Sequence, residues 1–359
     1  MDAPVYAVVL AGGGGTRLWP LSRVHKPKHV LNLCGDKTLL AETFARVRPM
    51  IADDHLMAIT VADHADALRK QVPYLLPQNV VIEPMGRSTA PCIALMAALI
   101  AKSDPDAIMV SLAADHAVED VEAFRSVVEA AIQAAAMGHL VTLGIVPDSP
   151  ETGYGYIERG GLLTRLAGHN VYHVARFTEK PDQAMAEAFL QTGRYFWNAS
   201  IFAWRVSSIL AEVRKWLPSL HRGVMSVQPA LATAGQQEAL ARVWESITPI
   251  SIDVGVMEKA DGVVVVPADI GWSDVGCWTS VAKLAQPDGE GNVIEGQGMV
   301  LDCEGTYIRS SGRLVAALGL QGMIVVDTDD AVLVCPKDRA QDVRKLVDLL
   351  KREGKDDYL

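Results

Sequence analysis

Residues 8–20 read Val-Val-Leu-Ala-Gly-Gly-Gly-Gly-Thr-Arg-Leu-Trp-Pro, an apolar run that passes directly into four glycines, a threonine and an arginine. That order suits the capture of a nucleotide's phosphates by main-chain amides. Glycines let the backbone come close and take positive φ, and successive exposed N–H groups form a concave anion site. Arg17 adds a permanent, forked cation that can follow a phosphate through a reaction. Two common loops fail on spacing. Gly12 and Gly14 begin the dinucleotide fingerprint G-x-G-x-x-G, but Arg17 stands where the third glycine belongs. A Walker loop closes with Gly-Lys-Ser/Thr, whereas the first lysine after these glycines is Lys26. A plain strand-to-helix turn would explain the glycines and leave Arg17, Lys26 and Lys28 as coincidences.

Carboxylates stand where such a loop would need them. Asp115 follows the apolar run 109–112, and Asp274 lies in Asp-Ile-Gly-Trp-Ser-Asp-Val-Gly after the run 263–266. Open α/β sheets bind ligands at the carboxyl ends of their strands, and two aspartates from separate strand ends suffice to grip one Mg²⁺. The structural alternatives are a helix N-cap at Asp115 and a turn residue at Asp274. Lys180, in Phe-Thr-Glu-Lys-Pro, offers a point charge for a sugar phosphate, or is an ordinary solvated lysine. Asn198 and Ser200 sit among aromatics in Phe-Trp-Asn-Ala-Ser-Ile-Phe, a setting suited to sugar hydroxyls. Glu158, in Gly-Tyr-Gly-Tyr-Ile-Glu, has the chemistry to accept two hydroxyls. Asp253 is assigned a supporting or turn-capping part. Glu83-Pro84 with Arg87 sits at a strand end and helix start, suited to a base and equally to a capped helix.

These groups need a scaffold. The chain has 359 residues, half of them hydrophobic, enough for one large domain and a smaller one. Its net charge of −10 excludes a broad nucleic-acid footprint, so a polyanionic substrate requires local positive charge or a divalent metal. Five scattered cysteines without a C-x-x-C pair are unlike a disulfide framework or a zinc site and fit reduced cytosol. No secretory signal or membrane-spanning run is apparent, and a cytoplasmic protein with no membrane partner is expected.

Strands are predicted at 6–10, 55–61, 80–82, 108–112, 140–146 and 263–266. Helices are predicted at 39–47, 91–102, 122–137, 182–191, 207–216 and 236–246. This alternation argues for a largely parallel, covered sheet. From 153 to 177 shorter strands and turns are expected, as in an inserted substrate-binding region. The polar stretch 286–292 reads as a hinge or linker. Beyond it, short apolar runs at 293–294, 299–301, 306–308, 314–317, 323–326 and 331–334 read as stacked β-helix rungs or a small antiparallel sheet. Residues 338–352 read as an amphipathic helix with Val343, Leu346, Val347 and Leu350 as its stripe.

The segments LAGGGGTRLWPLSR, KPKHVL, EPMGRSTAP, AADH, GYGYIE, FTEKP, WNASIFAW, SIDVGVMEK and GWSDVGCW together resemble the mannose-1-phosphate guanylyltransferases, of the bacterial type without a fused isomerase domain. The resemblance implies a Rossmann-like, GT-A-like α/β nucleotidyltransferase core over residues 1–285, with a mainly parallel mixed sheet. A short left-handed β-helix with a C-terminal helix would follow over 286–359. It implies transfer of GMP from GTP to mannose 1-phosphate, giving GDP-mannose and pyrophosphate, with Mg²⁺ held by Asp115 and Asp274. Leu10, Ala11, Gly12, Gly13, Gly14, Thr16, Arg17, Lys28, Glu83, Pro84, Arg87 and Asp115 would meet the nucleotide. Gly155, Glu158, Lys180, Asn198, Ser200 and Asp253 would meet the sugar phosphate. Arg17, Lys28, Asp115 and Asp274 would carry the chemistry. The sequence departs from the family pattern at Ala199-Ser200 (usually Ser-Gly), Val254 (usually aromatic) and His29 (commonly Gln), mostly around the sugar. Rival readings are the same chemistry on another sugar and nucleotide, a silent sugar-nucleotide-binding regulatory paralogue, and an oxidoreductase lacking its third glycine. The strand edges of a rung domain suggest a homodimer.

Overall fold

A computed structural model describes residues 3–359. The chain opens with β1 (Val5–Ala11), α1 (Leu39–Val47), β2 (Leu56–Val61), α2 (Ala62–Gln71), β3 (Val80–Glu83), α3 (Thr89–Ser103) and β4 (Ile108–Ala113). There follow β5 (Ala117–Val118), α4 (Val121–Ala136), β6 (Leu140–Ile145), β7 (Tyr156–Leu166), β8 (His169–Thr178), α5 (Gln183–Thr192) and β9 (Tyr195–Arg205). Next come α6 (Val206–Trp216), α7 (Pro218–Val227), α8 (Gln236–Trp244), β10 (Val263–Ala268), β11 (Trp272–Ser273) and α9 (Trp278–Lys283). The C-terminal part holds β12 (Val293–Glu295), β13 (Gly298–Leu301), β14 (Tyr307–Ser310), β15 (Val315–Leu318), β16 (Met323–Asp327), β17 (Val332–Pro336) and α10 (Val343–Arg352).

The chain divides into two compact units. The first takes in the chain up to Gly12, Thr43–Ala114 and Val118–Trp272. Its nine-stranded mixed sheet has the order β3-β2-β1-β4-β9-β6-β10-β8-β7. Strands β3, β2, β1 and β4 are parallel, β6 and β10 are parallel, and β9 runs antiparallel between β4 and β6. The parallel strands read Val-Val-Leu, Ala-Ile-Thr and Met-Val-Ser-Leu because both faces of such a sheet are covered. Helix α3 is buried almost all round, from Ala90 to Ile100, and packs into the same core as Val8, Met109, Trp204 and Val265. β1 and β4 are parallel neighbours paired at Leu10↔Ala113, so the chain leaves the sheet toward Gly12 and toward Ala114 at adjoining carboxyl ends.

The stretch 153–177 differs from expectation. It is a long hairpin, β7 of 11 and β8 of 10 residues, with register shifts near Arg159, Leu162 and Thr164. Gly160-Gly161 and the irregular pairing break its alternation, which is why the sequence reads as shorter pieces. The strand β9 and helix α7 are absent from the elements predicted above. Tyr-Phe-Trp-Asn-Ala-Ser-Ile-Phe-Ala-Trp is buried on both faces and so lacks period-2 polarity, and α7 starts from Pro218 at its first turn.

The second unit is Gly13–Glu42, Asp115–Ala117 and Ser273–Leu359. Its rungs are parallel: β12-β14-β16 form one face and β13-β15 another, and β17 closes the stack antiparallel to β16. Val293, Tyr307 and Ile324 lie in register down the first face and are all buried. Parallel pairing decides for β-helix rungs over the antiparallel sheet. The stretch 286–292 is a tight turn in which Asp288 Oδ1 accepts the amides of Glu290 and Asn292. The C-terminal helical segment begins as a 3₁₀ helix over Lys337–Asp342 before α10, whose Val343 and Val347 are buried while Leu346 is 42% exposed. The unit's core joins Leu18, Leu31 and Leu39 to Trp278, Tyr307, Ile324 and Val343. The glycine-loop segment and the rungs thus share one hydrophobic core.

Candidate active site

Strand β1 ends at Ala11 and gives way to glycines whose conformations explain their identity. Gly13 has φ +90° and Gly15 φ +64°. A Cβ on Gly12, Gly13 or Gly14 would meet no described atom within 4 Å, so protein packing does not demand their bareness. Open space above three consecutive exposed glycines is what a close-fitting ligand requires. Gly15 is different. A Cβ there would lie 2.5 Å from Lys28 Cβ, and its carbonyl accepts Ser22 Oγ at 2.7 Å.

Lys28 is the hub of the second unit's site. It is 7% exposed, and its ammonium donates to Asp115 Oδ2 at 2.7 Å and to the carbonyl oxygen of Asp274. Burial pushes the Asp115 carboxyl up, but Lys28, His116 and His29 together outweigh it and hold the group below the usual carboxylate range. Asp115 is therefore ionised at neutral pH. It does not cap α4; Asp120 does, accepting the amide of Ala123 at 2.8 Å. Asp274 Oδ1 accepts the amide of Gly276 at 2.9 Å, so this side chain shapes a turn while the residue's main-chain oxygen accepts the same lysine. Val275 next to it is held at φ +48°, a costly conformation for a β-branched residue. Arg17 Nη1 donates to Gln341 Oε1 at 2.7 Å. Thr16 is exposed.

In the first unit a polar cluster forms around Asn198. Its amide donates to Asp253 Oδ1 at 2.7 Å, its Oδ1 accepts Thr142 Oγ1 at 2.9 Å, and its backbone N–H donates to the Gly155 carbonyl at 2.8 Å. Ser200 lies two residues further along β9, its N–H 3.2 Å from Asn198 Oδ1. Glu179 comes so close to Gly155 that an added Cβ would sit 2.6 Å from its Oε2, and its Oε1 accepts Lys180 Nζ at 2.5 Å. Burial first, then the neighbouring Glu179 charge, push the Asp253 carboxyl up to about 6. Gly155, Lys180, Asn198, Ser200 and Asp253 are thereby brought together. Glu158 is not joined to them: it pairs across strands with Tyr195 and forms an ion pair with Arg194 at 3.0 Å.

Glu83 ends β3, is 4% exposed, and accepts Trp244 Nε1 at 3.3 Å; burial raises its carboxyl above the usual range. The Arg87 guanidinium donates to the carbonyls of Trp244 and Glu245, closing the end of α8. Pro84 lies in the turn between β3 and α3. The Thr89 hydroxyl accepts the amide of Ile252, tying this segment to the one that carries Asp253. Sequence reasoning missed Glu179 and Thr142. Glu179 adjoins Lys180, and Thr142 is the one hydroxyl in the buried strand Leu-Val-Thr-Leu-Gly-Ile, which was signal enough.

Residues 6–290 match the Nucleotidyl transferase family, and residues 296–350 match the MannoseP isomerase/GMP-like beta-helix domain. A mannose-1-phosphate guanylyltransferase of Klebsiella pneumoniae is 41% identical over 361 residues, 98% of this chain and 75% of the relative. The chain belongs to the mannose-1-phosphate guanylyltransferase family. The xanthan biosynthesis protein XanB of Xanthomonas campestris is 40% identical over 98% of this chain and 74% of its own length. A crystal structure of a mannose-1-phosphate geranyltransferase from Thermus thermophilus superposes with a TM-score of 0.86 at 37% identity, over 97% of this chain and 99% of that one. Ser200 is held at φ +51°. His29 is fully buried beside Asp115 and contributes to its depressed carboxyl.

Proposed function

We propose that this chain transfers the GMP of GTP to mannose 1-phosphate, releasing pyrophosphate and forming GDP-mannose. The observation that carries the reading is the lysine hub: a buried Lys28 joining Asp115 to the Asp274 turn, in the same unit as the open glycines Gly13 and Gly14 and as Arg17. The family's similarity over nearly the whole chain supports the substrate pair.

A phosphate oxygen of the sugar phosphate attacks the α-phosphorus of GTP in line, and pyrophosphate departs on the opposite side. The attacking group is already an anion, so the chain needs no general base. Its task is to hold two polyanions together and to stabilise charge as it develops. Main-chain amides of Gly12–Gly14 cradle the phosphates, with Leu10, Ala11 and Thr16 flanking them. Arg17 and Lys28 accompany the departing pyrophosphate. Glu83, Pro84 and Arg87 shape the base site. Asn198, Asp253, Lys180, Gly155 and Ser200 address the sugar phosphate, and Glu158 with its Arg194 partner borders that role.

Asp115 and Asp274 fit a divalent cation by donor chemistry: oxygen ligands only, with Asp115 held ionised. Mg²⁺ is commonly bound through one or two carboxylates with phosphates and water completing the shell. Among the described residues no three His, Cys, Asp or Glu side chains are grouped to hold a metal, so substrate would supply the rest. When bound, the ion supplies positive charge to the phosphate oxygens.

We further propose a catalytic span over 1–285 with a β-helix domain over 286–359, a cytoplasmic site of action and a homodimer. Exposed Met299, Leu301 and Leu318 on the rungs, with Leu314 just before β15, support a self-associating surface. No described helix is long and apolar enough to cross a membrane. The experiment is pyrophosphate release with Mg²⁺ across GTP, ATP, UTP and dTTP, each paired with mannose 1-phosphate or glucose 1-phosphate. Turnover confined to GTP with mannose 1-phosphate is expected; turnover only with another pair would overturn the substrate assignment.

A further inference from the structure

Arg17 belongs to the loop that meets the nucleotide, yet its side chain is held by a residue 324 positions away. Gln341 lies in the 3₁₀ segment Lys337–Asp342, beyond the last rung. Its Oε1 accepts Arg17 Nη1 at 2.7 Å, and its Nε2 lies 3.5 Å from the sulfur of Cys277, three residues after Asp274. One amide therefore spans the nucleotide-loop arginine and the turn that carries a candidate metal carboxylate.

Gln341 is itself exposed, and the backbone on which it stands is anchored. Thr279 Oγ1 donates to the Lys337 carbonyl at 2.9 Å, and Ala340 and Val343 on either side are buried. The loop itself is braced from the same quarter. Trp19 Nε1 donates to the Tyr358 carbonyl at 2.8 Å, Trp278 Nε1 donates to the Trp19 carbonyl at 2.9 Å, and Arg23 pairs with Asp330 at 2.8 Å. All these residues belong to the second unit. Arg17 makes no ion pair with a carboxylate among the described residues; the group that holds it is this neutral amide.

The choice of partner has a chemical consequence. A neutral acceptor orients a guanidinium without cancelling its charge, so the cation stays fully available to a phosphate. A carboxylate in the same place would compete with the triphosphate for it. We propose that Gln341 is a positioning residue for nucleotide turnover: it aims Arg17 and leaves its charge unneutralised, so the segment after the β-helix helps complete the phosphate site. This rests on the nucleotidyl-transfer reading.

Two variants test it. Gln341→Ala removes the aim and keeps the charge free, and a fall in kcat on the order of tenfold with little change in KM for GTP is expected. Gln341→Glu keeps an acceptor but neutralises Arg17. A rise in KM and Kd for GTP of about fivefold at low salt is expected, shrinking as ionic strength rises. KM for the sugar phosphate should stay unchanged in both. A merely structural glutamine would lower the thermal midpoint without a salt-sensitive, nucleotide-specific change. The proposal is overturned if both variants keep wild-type kcat and GTP affinity, or if the glutamate variant loses affinity independently of salt. Calorimetric GTP binding reads the second variant even if the wild-type chain turns over no substrate pair, which separates failure of this inference from failure of the activity assignment.

Discussion

The Lys28 ammonium lies 2.7 Å from Asp115 Oδ2 and donates at the same time to the main-chain oxygen of Asp274. One cation thus fixes the carboxylate after β4 and the turn at Asp274, the two groups proposed to bind metal. Lys28→Met should lower kcat on the order of 10²–10³-fold, the scale for loss of a charge-stabilising donor. Combining it with Asp115→Asn should give a coupling of about 1–3 kcal/mol in denaturant unfolding, since the two groups touch. Additive single effects would show that the contact carries no energy.

Gly15 permits this geometry. A side-chain carbon at that position would meet Lys28 Cβ at 2.5 Å, on a backbone already at φ +64°. Gly15→Ala should therefore lose stability by about 1–3 kcal/mol and displace Lys28. Gly14→Ala, where space is open and φ lies outside the left-handed region, should leave stability nearly unchanged and weaken GTP binding. Thermal melts with GTP titrations distinguish the pair. Equal loss of stability in both variants would contradict the division between packing glycine and ligand glycine.

Asp253 gives a pH signature. Its carboxyl is raised to about 6 by burial and by Glu179, so between the ordinary aspartate range and pH 6 the folded chain binds the proton that the unfolded chain releases. Stability from this group is full in acid and is lost as pH rises toward and through 6. Asp253→Asn should therefore be more stable than wild type at pH 8, by on the order of 2–3 kcal/mol, and no more stable near pH 3.5. Urea unfolding at the two pH values is the check; a gain independent of pH would mean that the charge is not the cause.

Ser200 is held in a left-handed backbone conformation inside β9. At φ +51° a serine sits where glycine is at ease, and Ser200→Gly should raise stability by about 0.5–1 kcal/mol. Sugar selectivity should be read alongside. A loss of stability would show that the contact of Asn198 Nδ2 with the Ser200 hydroxyl, 3.5 Å away, outweighs the backbone cost.

How legible the molecule is from its sequence depends on where each interaction lies along the chain. Strand β1 and helix α1 are evident because an apolar run and a 3.6-residue stripe are local patterns. The rungs are evident because glycines and aspartates punctuate them at even spacing. Strand β9 is hidden because burial on both faces removes alternation, and the hairpin of β7 and β8 because Gly160 and its register shifts interrupt it. Site chemistry divides in the same way. Arg17 and Lys28 declare themselves beside the glycines, whereas Gln341 acquires its part only through a contact 324 residues distant. The positive φ values of Ser88, Lys180, Ser200 and Val275, all within or beside the candidate segments, are tertiary in origin and leave no trace in residue type.

The most direct test of the metal-assisted guanylyl transfer is pyrophosphate release from GTP and mannose 1-phosphate by the purified chain, compared with Asp115→Asn and Asp274→Asn over a Mg²⁺ titration. The wild-type chain should form GDP-mannose, and turnover should fall on the order of 10²–10³-fold in each variant at limiting Mg²⁺. Near wild-type turnover by either variant under those conditions would contradict the metal-carboxylate assignment. Absence of GDP-mannose from folded, GTP-binding wild-type protein would contradict the activity itself.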